Sequence, residues 1–163
     1  MYSYITKELP HVISSNFPSL DLSRLGITGH SMGGHGALSI AIKKQDLFKS
    51  VSAFAPICNP INCPWGVKAF SNYLGSDKKL WEEYDSSELL LKYGKTKYDK
   101  ILIDVGLADN FYKQNQLLPE AFQSSAAKVN QNIELNMHEG YDHGYYFIST
   151  FIENHIKFHK DRL

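Results

Sequence analysis

No run of apolar residues in this 163-residue chain approaches the ~20 needed to cross a bilayer. The first residues hold no apolar core behind basic residues of the kind that marks a secretory leader. A cytoplasmic location and no membrane partner are the expectations. Charge of one sign is also lacking. Lys plus Arg number 17 and Asp plus Glu number 17, which removes the bulk attraction that nucleic acid or an anionic surface would exploit. Cysteine is scarce. Cys58 and Cys63, in Cys58-Asn59-Pro60-Ile61-Asn62-Cys63, have no second pair to complete a zinc site, and the seven histidines show no strong ligand spacing. No metal and no cofactor are expected, and the two thiols are expected reduced rather than bridged. Repeats, low-complexity tracts and linkers are missing too. Residues 1–163 therefore read as one domain, with 43% hydrophobic and 13% aromatic residues to build its core.

What is present alternates. Tyr2–Ser15 reads as an amphipathic helix with Pro10 as a kink. Arg24–Thr28 reads as a strand, Lys49–Ala55 as a second, Ile101–Val105 as a third and Ile133–Met137 as a fourth. Helical patterns cover Leu80–Tyr93, Gln116–Asn130 and Tyr145–His159, and residues 56–78 read as loop-rich. Strands that alternate with helices need crossover connections. The fold class is α/β, a mostly parallel sheet with helices on both faces.

Between the first strand and the helical stretch Ala37–Ile42 lies Gly29-His30-Ser31-Met32-Gly33-Gly34. Strand, sharp turn and helix are the setting a G-x-S-x-G nucleophile elbow requires. The turn drives the serine toward positive φ, and small residues two positions to either side are expected because side chains there would collide. Ser31 is the candidate nucleophile. It needs a base, and the base needs an acid to hold its tautomer. In open α/β sheets such groups gather beyond the carboxyl ends of the strands. His143, in Glu139-Gly140-Tyr141-Asp142-His143-Gly144, is the histidine in a loop after a strand and before a helix. His138, closing the fourth strand, is its competitor. His30 is expected to point away from the Ser31 hydroxyl, and His35 falls on the following helix. Asp109, in the loop after the third strand, is the candidate acid. Asp142 adjoins His143 in sequence and so projects away from it, while Asp104 lies within the strand, its partner open. The order Ser31, Asp109, His143 is that of α/β-hydrolases.

These residues resemble the S-formylglutathione hydrolase (esterase D) family. The resemblance runs through Gly29-His30-Ser31-Met32-Gly33-Gly34-His35-Gly36-Ala37-Leu38, Phe54-Ala55-Pro56-Ile57-Cys58-Asn59-Pro60, Cys63-Pro64-Trp65-Gly66 and Tyr73-Leu74-Gly75. It continues through Ile103-Asp104-Val105-Gly106 and Glu139-Gly140-Tyr141-Asp142-His143 to Tyr145-Tyr146-Phe147. It implies the C-terminal part of an α/β-hydrolase fold, with Ser31 as nucleophile, Asp109 as acid and His143 as base. It further implies hydrolysis of a glutathione thioester, S-formylglutathione, to glutathione and formate, a step of formaldehyde catabolism. Trp65, Tyr145 and Tyr146 would wall the acyl pocket, and Lys68 would meet a glutathione carboxylate. The family commonly has serine where this chain has Gly144.

In this family the oxyanion of the intermediate is held by the N–H after the nucleophile, here Met32, and by a second N–H from a loop after an early strand. No segment here corresponds to that loop. The expectation is an N-terminally truncated domain, from a fragment or truncated gene model. Its first strand would be an open edge inviting a homodimer. One alternative, a broad carboxylesterase for short acyl esters, shares every residue named; the other, motivated by the missing loop, is an inactive remnant acting as an interaction module.

Overall fold

The four expected strands form β1 (Gly26–Ile27), β2 (Ser50–Phe54), β3 (Ile101–Gly106) and β4 (Ile133–His138). The computed structural model describes all 163 residues. The strands lie in one sheet in chain order, and every pair is parallel. Parallel neighbours demand crossovers. These are α2 (Met32–Lys43) between β1 and β2, then α3 (Pro64–Tyr73), α4 (Lys78–Glu82) and α5 (Ser86–Tyr93) between β2 and β3. The last crossover is α6 (Asn110–Lys113) with α7 (Pro119–Lys128), and α8 (Tyr145–Lys160) follows β4. No helix is long and apolar enough to cross a membrane.

Several elements differ from the sequence reading for local reasons. The helix expected over Leu80–Tyr93 is broken at Asp85, whose carboxylate accepts from the N–H groups of Ser87 and Glu88 at 2.9 and 3.1 Å and so starts α5 afresh. The stretch read as loop-rich contains α3, opened by Pro64 in its first turn with the Cys63 thiol accepting from Gly66 N–H at 3.3 Å. At the N-terminus, α1 (Leu9–Asn16) follows a π-helical turn, Tyr4–Glu8, in which Leu9 N–H reaches back to Tyr4 O. Pro10 has no N–H to give, so the disturbance falls just ahead of it. Strand β1 is shorter than Arg24–Thr28, although pairing resumes as a bridge between His30 and Phe54.

Side chains alternate across a strand, so each face of the sheet carries its own set. Val51, Ala53, Ile101, Ile103 and Val105 join Leu38, Ile42, Leu89, Leu90 and Phe122 of the crossover helices in one buried cluster. The face toward α8 carries a polar cluster beside Phe54. There Ser50 Oγ lies 2.6 Å from His159 Nδ1, and His159 Nε2 lies 2.8 Å from Ser52 Oγ. Ser52 Oγ lies 2.8 Å from His155 Nδ1, whose Nε2 faces Asp104 Oδ2 at 3.5 Å. Asn136 donates to Asp104 Oδ1 at 2.9 Å, and His138 Nε2 stands 3.2 Å from Oδ2. The partner left open for Asp104 is thus this cluster, which ties α8 to the sheet. Burial acts to raise the Asp104 carboxyl, yet His155, Asn136 and His138 together hold it below its ordinary value.

Burial, and then the charges of His155 and Arg162, push His159 down from 6.5 to about 4. Between those two values the unfolded chain binds a proton that the folded chain refuses, so stability falls as pH falls through that window. The loss is about 3 kcal/mol in all, and this group contributes no slope above pH 6.5. Urea unfolding at pH 7, 5.5 and 4 should show this fall, and a His159→Gln variant should show a shallower one. An equal slope in both proteins would place the acid sensitivity elsewhere.

Candidate active site

Ser31 has φ 57° and ψ −115°, a strained conformation for a residue with a side chain. Strand pairing holds it there: Ser31 N–H donates to Phe54 O at 2.8 Å, and Phe54 N–H donates to Gly29 O at 2.9 Å. A Cβ on Gly29 would stand 2.3 Å from Gly33 O, so glycine is required at that position. A Cβ on Gly33 would meet nothing within 4 Å, which corrects the expectation of crowding on both sides. The second tight position is Gly34, whose Cβ would come within 3.0 Å of Pro56. Helix α2 starts at Met32, so the Met32 N–H is one of the free donors that every helix N-terminus leaves, beside positive dipole charge.

Asp109 is fully buried and caps α6. Its Oδ1 accepts from Phe111 N–H at 2.7 Å, and its Oδ2 lies 2.5 Å from His143 Nδ1. That contact puts a proton on Nδ1 and leaves Nε2 of a neutral His143 as the acceptor. The loops meet because Gly106 ends β3. A Cβ there would stand 2.2 Å from Tyr141 O, the atom that accepts from Ala108 N–H at 2.9 Å. Gly106→Ala should therefore push the His143 loop away, cost about 1–3 kcal/mol of stability, and abolish the low-field proton resonance of the Asp109–His143 hydrogen bond. A retained resonance would show that the loop can yield.

The structure joins Asp109 to His143 directly. The Ser31 hydroxyl makes no hydrogen bond to His143; its link is through its neighbour. The His30 ring lies on the His143 ring, centroids 4.4 Å apart, and Phe111 meets His143 edge-on at 4.6 Å. His30, expected to point away from the Ser31 hydroxyl, packs against the His143 loop, a contact between distant residues that no local pattern signals. Burial, and then the neighbouring His143, push His30 below its ordinary pKa, with Asp109 opposing. His138 is occupied elsewhere, stacked on Phe151 at 3.8 Å and facing Asp104. Asp142 turns from His143 to accept from Gly144 N–H at 2.8 Å, at the start of α8.

A groove of about 820 Å³ runs from Met32 beneath α3, with Trp65 and Lys68 in its wall. Tyr145 and Tyr146 do not line it. They stand 85% and 77% exposed on the first turn of α8, Tyr146 stacked over Tyr141 at 6.0 Å. Cys58 and Cys63 are free and buried, and burial pushes the Cys58 thiol well above its ordinary pKa.

A serine on a strained strand-to-helix turn, with a buried Asp–His pair beyond neighbouring strands, is the layout of an α/β-hydrolase. Residues 1–158 match the family model for putative esterases. The chain belongs to that esterase family. The chain is 56% identical over 163 residues to the S-formylglutathione hydrolase of Arabidopsis thaliana, covering 100% of this chain and 57% of that protein. It is 52% identical over 159 residues to the S-formylglutathione hydrolase of Rattus norvegicus, covering 98% of this chain and 56% of the relative. Among solved structures, the S-formylglutathione hydrolase of Agrobacterium tumefaciens superposes with a TM-score of 0.93 at 45% identity, over 100% of this chain and 57% of that one. The chain thus spans little more than half the length of the relatives it matches.

Proposed function

We propose that this esterase hydrolyses S-formylglutathione to glutathione and formate by a formyl-serine route. Ser31 Oγ attacks the thioester carbonyl and passes its proton to His143 Nε2, while Asp109 holds Nδ1–H and stabilises the imidazolium. The Met32 N–H faces the developing oxyanion, where a preorganised donor is worth most. The C–S bond breaks, and glutathione leaves as the thiol with the proton from His143. Water, deprotonated by His143, then attacks the formyl-serine. Formate departs, and the proton returns to Ser31.

The observation that carries this reading is the 2.5 Å contact of Asp109 with His143, a histidine packed against the elbow that bears the strained Ser31. A resting Ser31 hydroxyl without its hydrogen bond to the base is no objection, because such bonds often tighten only when substrate is bound. Incubating the protein with S-formylglutathione and following thioester loss and formate release tests the proposal. A second arm treats the protein with a fluorophosphonate and maps the adduct by mass spectrometry. Turnover with the label on Ser31 is expected. No turnover and no label would overturn it.

A further inference from the structure

We propose that His35 is a substrate-binding residue: its Nε2 accepts a hydrogen bond from an amide N–H of the thiol-bearing peptide, which lies in the groove beneath α3. The proposal rests on the thioesterase reading above and adds where the leaving group sits. His35 is one turn into α2, its N–H donating to Ser31 O at 2.9 Å. Its Nδ1 lies 3.0 Å from Ile57 O. A carbonyl oxygen only accepts, so the proton is on Nδ1, and Nε2 of the neutral ring presents a lone pair. Burial keeps the ring below its ordinary pKa, against the pull of the Ile57 carbonyl and Asp85. Nε2 has no partner in the protein and is not among its sealed-off polar atoms.

The groove places that lone pair in a selective setting. It begins at Met32, whose N–H faces the reacting carbonyl, and runs along Trp65 and Phe70 to Tyr84. Two of its other polar groups are spent: Trp65 N–H donates to Gln116 Oε1 at 3.0 Å, and Asn72 Nδ2 donates to Lys68 O at 2.6 Å. Lys68 pairs with no carboxylate. The groove therefore offers one open imidazole acceptor close to the nucleophile, one open cation, and aromatic walls. An acyl chain has no N–H to give His35, and it would leave the acceptor buried without a partner, at a cost. A formyl group is far too small to fill about 820 Å³. A short peptide thiol fits all three features, with an amide for His35, a carboxylate for Lys68 and its backbone along Trp65.

Calorimetric titration with S-methylglutathione tests this without turnover, because a thioether cannot be hydrolysed. The wild-type protein should bind it. His35→Phe, which keeps a ring but no acceptor, should weaken Kd about tenfold, and His35→Gln, which restores an acceptor, should recover most of that loss. Equal affinities in the three proteins would overturn the proposal. Should a variant fail to fold, ¹⁵N spectra of the wild-type imidazoles decide: S-methylglutathione should shift the His35 Nε2 resonance, and an unmoved resonance overturns the assignment. Wild-type protein that labels at Ser31 with fluorophosphonate yet binds no S-methylglutathione would refute the His35 assignment and leave the hydrolase reading standing. Binding at His35 without any label would refute the hydrolase reading alone.

Discussion

Asp109→Asn is expected to lower kcat for S-formylglutathione by about 10⁴-fold, the cost of holding a catalytic histidine in the wrong tautomer. The carboxylate serves three donors, with Oδ1 on the Phe111 and Tyr112 N–H groups and Oδ2 on His143 Nδ1. An asparagine has one acceptor oxygen for them. The two backbone N–H groups at the start of α6 cannot be left unpaired cheaply, so the amide oxygen stays on the backbone and the NH₂ group turns to the imidazole. A donor there forces the proton from Nδ1 to Nε2, and His143 then has no lone pair for the Ser31 hydroxyl. Asp142→Asn supplies the control. Asp142 touches Gly144 N–H rather than His143, and the amide oxygen of asparagine accepts from that same N–H, so kcat should change little. Steady-state rates of both variants check the pair, and a reversed order of costs would mean that Asp142 orients the base.

Local patterns in the sequence carry the parts of this molecule that obey local rules. The four strands were legible because each is a short segment rich in apolar residues, near-continuous in β3 and alternating in β4, set between helical patterns and turn residues. Ser31 was legible because the elbow imposes its own sequence. Asp109 and His143 were legible because topology confines such groups to loops beyond the strand ends. Other features were hidden for physical reasons. Helix α3 is announced only by Cys63-Pro64, a thiol cap that ranks low among helix-start signals. The break at Asp85 is signalled by Asp85-Ser86-Ser87-Glu88, a cap residue with glutamate three positions on, which the reading of one continuous helix passed over. The Ser50–His159–Ser52–His155–Asp104 cluster joins residues up to 109 positions apart. Its members look, one at a time, like unrelated polar residues on a strand and a helix. The packing of His30 on His143 is hidden in the same way, since side-chain contacts between loops follow from the assembled sheet. The requirement for glycine shows the limit from the other side: Gly29 and Gly34 are crowded and Gly33 is not, a distinction that the motif does not encode.

Ser31→Ala is expected to reduce kcat by on the order of 10⁶-fold, the scale seen when a serine nucleophile is removed from a complete relay, and to eliminate fluorophosphonate labelling. Its stability should match the wild type, because alanine has the same Cβ and bears the same strain at φ 57°. Ser31→Gly separates catalysis from conformation. Glycine accepts positive φ freely, so the variant sheds a strain of roughly 1–3 kcal/mol, offset by about 0.5–1 kcal/mol of extra chain entropy in the unfolded state. Both variants should be inactive, yet only Ser31→Gly should unfold at higher urea than the wild type. That outcome is the signature of a backbone strained in order to present a hydroxyl, in which stability is given up for function. A merely structural glycine-rich turn would respond otherwise: its serine could be replaced without loss of turnover, and the label would fall on another residue. Retained turnover in Ser31→Ala would end the nucleophile assignment. A Ser31→Gly protein no more stable than Ser31→Ala would show that the observed dihedral angles cost the fold nothing.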